Sequence, residues 1–168
     1  MTRRELAMEY FYKGYNCSQS LVLAYKDMLN IDEDTLARLA SSFGGGMGRL
    51  REVCGAVSGM FMVIGLLYGY SDPMDNSAKA EQYAKVQELA RRFEEKNGSI
   101  VCRELLGLSA ERVEDRSEGK SKDKSAAMPR KYDSPVPEVR DGAYYAKRPC
   151  PEIVGCAAEI LEEFIREN

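Results

Sequence analysis

Apolar side chains recur along most of this chain at the three- and four-residue spacing that is typical of amphipathic helices. Glycine and proline interrupt the pattern between these segments, as they do where helices end. The pattern predicts an all-α fold, a single compact helical domain of six or seven helices. The predicted helices span residues 3–13, 17–29, 35–43, 54–68, 73–97 and 100–106, and a last helix begins at Pro151.

Several predicted helices begin at recognisable capping residues. Asn16 is followed three positions later by Gln19, the pattern of a capping box. Asp34 is expected to cap the third helix, and Asp72 with Pro73 is expected to open the fifth.

The segment Val53–Ser71 contains no charged residue over 19 positions, close to the ~20 that span a bilayer. It also holds four glycines, two serines and two tyrosines, and it lacks the flanks of an anchored membrane span. We therefore expect Cys54–Tyr68 to be the buried central helix of the domain, without membrane insertion. The residues after Met1 do not resemble a signal peptide, which favours a cytoplasmic protein.

Residues 109–133 depart from the helical pattern, since 13 of these 25 residues are charged. Both signs are present and large apolar side chains are few, as in solvated segments that bury little surface. The sequence therefore predicts one domain over residues 1–168 with a charged, flexible insertion at 109–133.

The composition excludes several kinds of chemistry. The chain has 168 residues and a net charge of −3, so it has no overall positive field for binding nucleic acid. It contains no histidine, which excludes Ser-His-Asp and Cys-His nucleophile systems and histidine-containing zinc sites. Five cysteines remain, and in a reducing compartment cysteines indicate metal binding or redox chemistry.

Four of the cysteines lie at or near predicted helix N-termini, where unpaired N–H groups favour a thiolate: Cys17, Cys54, Cys102 and Cys150. Basic residues flank three of them: Arg49, Arg51, Arg103, Lys147 and Arg148. We expect these surroundings to lower the thiol pKa values. Cys156 lies inside the last predicted helix and is expected to be a small buried thiol.

The spacing of the four cysteines does not by itself define a site. They are 37, 48 and 48 positions apart, whereas structural zinc and ferredoxin sites usually contain closely spaced cysteine pairs. Inert core thiols are an equally good interpretation of this spacing.

The motifs around these cysteines resemble those of a known family. Cys54–Gly59 reads CGAVSG and follows the glycine-rich run Phe43–Gly48, while Gly14–Gln19, Cys102–Gly107 and Cys150 supply one cysteine upstream and two downstream. This arrangement resembles the family of redox-active proteins named for its C_GCAxxG_C_C signature. The resemblance covers nearly the whole chain. It implies that Cys17, Cys54, Cys102 and Cys150 are the functional cysteines, with Cys156 and the long 109–133 segment as departures from the pattern.

The glycine-rich run has two interpretations. Backbone N–H groups of Gly44, Gly45, Gly46 and Gly48 could bind a cofactor anion, phosphate or sulfide, as a backbone nest does. The glycines could instead let the backbone pass close to the cysteines. The latter interpretation is favoured, because the run lacks the motif of a phosphate-binding loop and follows no predicted strand.

Three functions remain open. The first is an electron-transfer protein whose four cysteines ligate an iron–sulfur cluster, most simply a [2Fe–2S] cluster. The second is a thiol–disulfide redox protein without metal. The third is a four-thiolate zinc site that only stabilises an interaction module. In each of the redox cases an unidentified redox protein is the expected partner, and a homodimer is an open possibility.

Overall fold

The computed structural model describes residues 1–108 and 133–168. In these two ranges the chain is helical, and its one strand-like contact is an isolated bridge between Val53 and Val101. The predicted all-α fold is confirmed. The insertion predicted at 109–133 lies outside the described residues except for Asp133. The helices are α1 (Arg3–Tyr12), α2 (Cys17–Leu23), α3 (Glu33–Ala40), α4 (Gly44–Met47), α5 (Gly55–Tyr68), α6 (Asn76–Asn97), α7 (Cys102–Leu105), α8 (Gly142–Lys147) and α9 (Cys150–Glu167).

Some helix ends differ from those predicted. Helix α2 ends at Leu23, and a 3₁₀ turn at Lys26–Met28 takes the place of its predicted last turns. The capping residue of α3 is Asp32, whose side chain accepts a hydrogen bond from the Thr35 N–H. Helix α6 is capped in the same way by Asp75, so the predicted start at Asp72–Pro73 was three residues early. In each case a neighbouring aspartate, two or three positions from the predicted one, is the residue whose side chain reaches the free N–H groups.

The described helices share one apolar core. Helix α9 packs along α1, and α2 lies between α1, α3 and α5. Tyr25 is buried in this core, and its hydroxyl donates a hydrogen bond of 2.6 Å to the Ala158 carbonyl of α9. Gly59 allows the close contact of α5 with α2, because a Cβ there would lie 2.9 Å from Leu21 Cδ2. This packing brings the N-termini of α2, α5 and α9 to the same end of the molecule.

Helix α5 is the predicted apolar helix, and its burial is uneven. The first six residues, Gly55–Met60, are all buried. Beyond Ile64 the helix approaches the surface, and Leu66 is 41% exposed. No helix within residues 1–108 or 133–168 is long and apolar enough to cross a membrane.

Candidate functional site: a four-cysteine cavity

A short antiparallel pairing brings Cys54 and Cys102 together. The N–H of Cys54 donates to the Ile100 carbonyl at 2.8 Å, and the N–H of Cys102 donates to the Glu52 carbonyl at 2.6 Å. The Val53–Val101 bridge lies between these two hydrogen bonds. Each paired segment then leads into a helix, so that Cys54 caps α5 and Cys102 begins α7.

Cys17 and Cys150 reach the same place from two other helices. Cys17 is the first residue of α2, after the capping box of Asn16 with Gln19 that the sequence predicts. Cys150 is the first residue of α9. A Cβ at Gly55 would lie 3.1 Å from Cys17 Cβ, so the start of α5 lies directly against the start of α2. All four cysteines line one cavity of about 200 Å³.

The glycine-rich run forms a wall of this cavity in an unusual conformation. Residues 45–49 all have positive φ, and Gly45 and Gly46, at 66° and 68°, lie within the short helical segment α4. The turn is closed by a 2.9 Å hydrogen bond from the Gly48 N–H to the Gly44 carbonyl. L-residues enter this region singly rather than in runs, so glycine at several of these positions limits the cost of the turn.

Gly44, Gly45 and Gly46 line the cavity, whereas Gly48 does not. A Cβ at Gly46 would lie 2.5 Å from Cys102 Cβ, and one at Gly44 would lie 2.4 Å from Asn16 Cγ. These contacts support the interpretation in which the backbone passes close to the cysteines.

Arginines surround the cysteines. Arg49, Arg51, Arg140 and Arg148 line the cavity, together with the acidic residue Glu138. Arg148 donates to Glu138 at 2.5 Å. Within residues 1–108 and 133–168 the contacts of Arg140 are neutral: the Phe11 and Tyr15 carbonyls at 2.9 Å, and the ring face of Phe11. The remaining flanking cations, Arg103 and Lys147, are not among the lining residues, and Arg103 pairs with Glu52.

The segment of residues 133–148 covers one side of the site, and we call it the strap. Asp133 at its start accepts hydrogen bonds from Arg49 and Arg51 at 3.0 Å and 2.7 Å. Pro137, Arg140 and Tyr144 of the strap line the cavity. Sequence reasoning missed Asp133, Glu138, Arg140 and Tyr144, and helix α8 (Gly142–Lys147) within the strap. These residues have no apolar periodicity, and only Asp141, which caps α8, is a local signal.

Burial has a larger effect on most of the thiols than their position at helix N-termini. The expectation that all four pKa values are lowered is wrong for three of them. Burial raises the pKa of Cys54 to about 12, although hydrogen bonds from the Ala56 and Val57 N–H groups act in the opposite direction. Burial likewise raises the pKa of Cys102 against the opposing effect of Arg51. At Cys54 and Cys102 the desolvation of the thiolate therefore has a larger effect on the pKa than the nearby helix N-terminus.

Cys17 and Cys150 influence each other's titration. Interaction with the Cys17 thiol lowers the pKa of Cys150, and the charges of Arg148, Arg51 and Arg140 lower it further against the effect of burial. The same interaction, followed by burial, raises the pKa of Cys17 well above its ordinary value. Within this pair, Cys150 is the cysteine that more readily becomes a thiolate, and Cys17 is the one that keeps its proton.

Cys156 lies apart from this site. It is the sulfur acceptor of a 3.4 Å hydrogen bond from the Asn97 side chain of α6, and it does not line the cavity. All five cysteines are free thiols. In the part of the chain that the structure describes, no three Cys, Asp or Glu side chains are grouped so that they could hold a metal ion.

The fold and the cavity define an all-α protein with a four-cysteine site at one end of its helices. Residues 15–164 match the model of the family described as "Putative redox-active protein (C_GCAxxG_C_C)". The chain belongs to this family, which confirms the resemblance found in the sequence. No curated protein and no solved structure matches the chain.

Proposed function

We propose that this chain is an electron-transfer protein in which Cys17, Cys54, Cys102 and Cys150 ligate an iron–sulfur cluster. The observation that carries this proposal is the meeting of four cysteines, from four different helix starts, at one cavity. Four thiolate sulfurs are the usual ligand set of [2Fe–2S] and [4Fe–4S] clusters. The donor set therefore fits such a group in ligand type, although the described side chains are not grouped closely enough to hold a single metal ion.

The charges around the cavity also suit a sulfur-ligated cluster. Four thiolates carry more negative charge than a cluster offsets, and cations next to them stabilise that excess. The four arginines that line the cavity supply this charge, and the contacts of Arg140 with the described residues are all neutral. The apolar side chains of Leu105, Leu106 and Ile153 help to exclude water. One-electron exchange is the chemistry that a bound cluster would supply.

The first test is anaerobic purification of the full chain, followed by visible absorption, iron and acid-labile sulfide analysis. We expect iron and sulfide in the wild type, and their loss on Cys→Ser replacement at any of the four positions, since each supplies a ligand. Cys156→Ser is the matched control and should retain both. A wild type that stays free of iron after anaerobic reconstitution would contradict the cluster, and one zinc per chain would favour the zinc site.

The Cys17–Cys150 pair favours a second candidate, a thiol–disulfide protein without metal. In this reaction the two thiols release two protons and two electrons and form one S–S bond. A disulfide of a partner protein accepts them and becomes two thiols. Cys150, whose pKa is lowered, is the attacking thiolate, and Cys17 resolves the mixed disulfide.

Incubation of metal-free protein with oxidised glutathione distinguishes this candidate. Peptide mapping should then find a Cys17–Cys150 disulfide, while Cys17→Ser should accumulate a glutathione adduct on Cys150. Adducts on exposed sites alone would oppose this mechanism. A cytoplasmic location, an unidentified redox partner and a possible homodimer remain part of the proposal, and the free state of all five cysteines suits that compartment.

A further inference from the structure

Arg51 connects a cysteine of the site to the strap. Its Nη1 lies 3.8 Å from Cys102 Sγ, while its Nε and Nη2 donate to one oxygen of Asp133 at 2.9 Å and 2.7 Å. The Arg51 side chain is only 10% exposed. Among the described arginines, Arg51 is the one whose guanidinium hydrogen-bonds to a cysteine sulfur. One planar cation is thus shared between a sulfur and a carboxylate.

The backbone fixes Arg51 at this point. Its φ is 60°, in the left-handed region that L-residues rarely adopt. Its N–H donates to the Gly45 carbonyl at 3.3 Å, and its own carbonyl accepts from the Arg103 N–H at 3.2 Å. A non-glycine residue in this region is strained, and such strain is concentrated at functional sites. The surrounding structure therefore holds an arginine at a position where glycine would be easier to accommodate.

The charge of Arg51 affects how readily the site accepts electrons. Reduction adds electron density to the sulfur atoms, either through one electron on a cluster or through the two electrons that cleave a disulfide. A cation 3.8 Å from a buried sulfur favours that reduced state, because charges interact strongly where water is excluded. The carboxylate of Asp133 offsets part of this effect, since the same guanidinium binds it.

We propose that Arg51 raises the reduction potential of the four-cysteine site and that Asp133 limits this increase. Arg51 is a positioning residue whose charge acts through Cys102, and Asp133 makes the potential depend on how the strap is docked. This inference rests on the redox function proposed above and names the residue pair that tunes it.

The test compares midpoint potentials of the anaerobic full chain and three variants. Arg51→Met removes the cation and should lower the potential by at least the equivalent of a tenfold change in the equilibrium constant, about 59 mV for one electron or 30 mV for two. Arg51→Lys keeps the charge without the planar fork and should lower it less. Asp133→Asn removes the competing carboxylate and should raise the potential.

The expected changes in midpoint potential have opposite signs in the Arg51→Met and Asp133→Asn variants. This result would separate the role of charge from a structural role, because a loss of packing would not lower the potential in one variant and raise it in the other. Arg38→Met and Asp34→Asn are the matched controls, since that pair lies on the exposed face of α3 with both side chains 82% exposed. If Arg51→Met does not fold, the Arg51→Lys and Asp133→Asn variants still test the signs.

Potentials that do not change, or that move in the same direction in Arg51 and Asp133 variants, would overturn this inference and leave the redox function intact. A wild type without any reversible couple would overturn the proposed function and this inference with it.

Discussion

Gly46 shows how closely the backbone approaches the cysteines. Its φ is +68°, and a Cβ there would lie 2.5 Å from Cys102 Cβ and 2.9 Å from the Glu52 nitrogen. Neither neighbour can move easily, because Cys102 begins α7 and Glu52 is part of the Val53–Val101 pairing. The position therefore requires the absence of a side chain as well as a left-handed conformation.

We expect Gly46→Ala to destabilise the chain and to displace Cys102. Left-handed strain of about 1–2 kcal/mol adds to overpacking of about 1–3 kcal/mol. Chemical denaturation would measure the loss of unfolding free energy, and iron content would measure the effect on the site. Gly14→Ala is the control for strain alone, since its φ is +104° and, apart from its chain neighbours, no described residue has an atom within 4 Å of its Cβ position. Equal losses at both positions would contradict a close approach at Gly46.

At the scale of the helices, α5 gives an internal comparison between two glycines. A Cβ at Gly59 would lie 2.9 Å from Leu21 Cδ2 and 3.1 Å from the Ser18 carbonyl of α2. A Cβ at Gly65 would meet no atom of the described residues within 4 Å beyond the local backbone of its own helix. Gly65→Ala should stabilise the chain by about 0.5–1 kcal/mol, because alanine loses less backbone entropy in a helix. Gly59→Ala should destabilise it by about 1–3 kcal/mol through overpacking.

Thermal melts of these two variants beside the wild type would test the packing of α5 on α2. Opposite shifts in melting temperature are expected. A stabilising Gly59→Ala substitution would show that the two helices lie further apart than the structure has them.

The helices were predictable where a local signal exists. The capping box at Asn16 and the apolar periodicity of α9 identify two of the helix starts that carry cysteines. Helix α8 was not predictable, because its six residues are too few to show an apolar period. The spacing of the cysteines along the chain could not predict that they meet at one cavity. Their meeting depends on the packing of α2, α5 and α9 at one end of the molecule and on the Val53–Val101 bridge.

The same limit explains the error in the thiol pKa values. The sequence shows that a cysteine is close to a helix start and an arginine, and both lower a thiol pKa. It does not show how deeply the sulfur is buried, which depends on the tertiary packing around it. For Cys54 that burial dominates.

At the scale of the whole molecule, the absence of histidine affects the pH dependence of stability. Without histidine, few groups other than the N-terminal amine and the thiols ordinarily titrate between about pH 5.5 and 7.5. Several carboxylates titrate below their ordinary range. A hydrogen bond from Arg3 lowers the pKa of Asp27, and one from Arg51 lowers the pKa of Asp133. Backbone hydrogen bonding at Thr35 lowers the pKa of Asp32.

A carboxylate with a lowered folded-state pKa stabilises the fold above its unfolded-state pKa of about 3.9, and the contribution is lost as the pH falls through the folded-state value. We therefore expect the melting temperature of reduced, metal-free protein to be nearly constant from about pH 5.5 to 7.5 and to fall steeply below about pH 4. Asp27→Asn should reduce the acid-induced drop, because it removes one of these groups, whereas Asp34→Asn in the exposed pair should change it little. A large change in melting temperature near pH 6.5 that persists in Cys150→Ser would show that another group controls the stability of the fold.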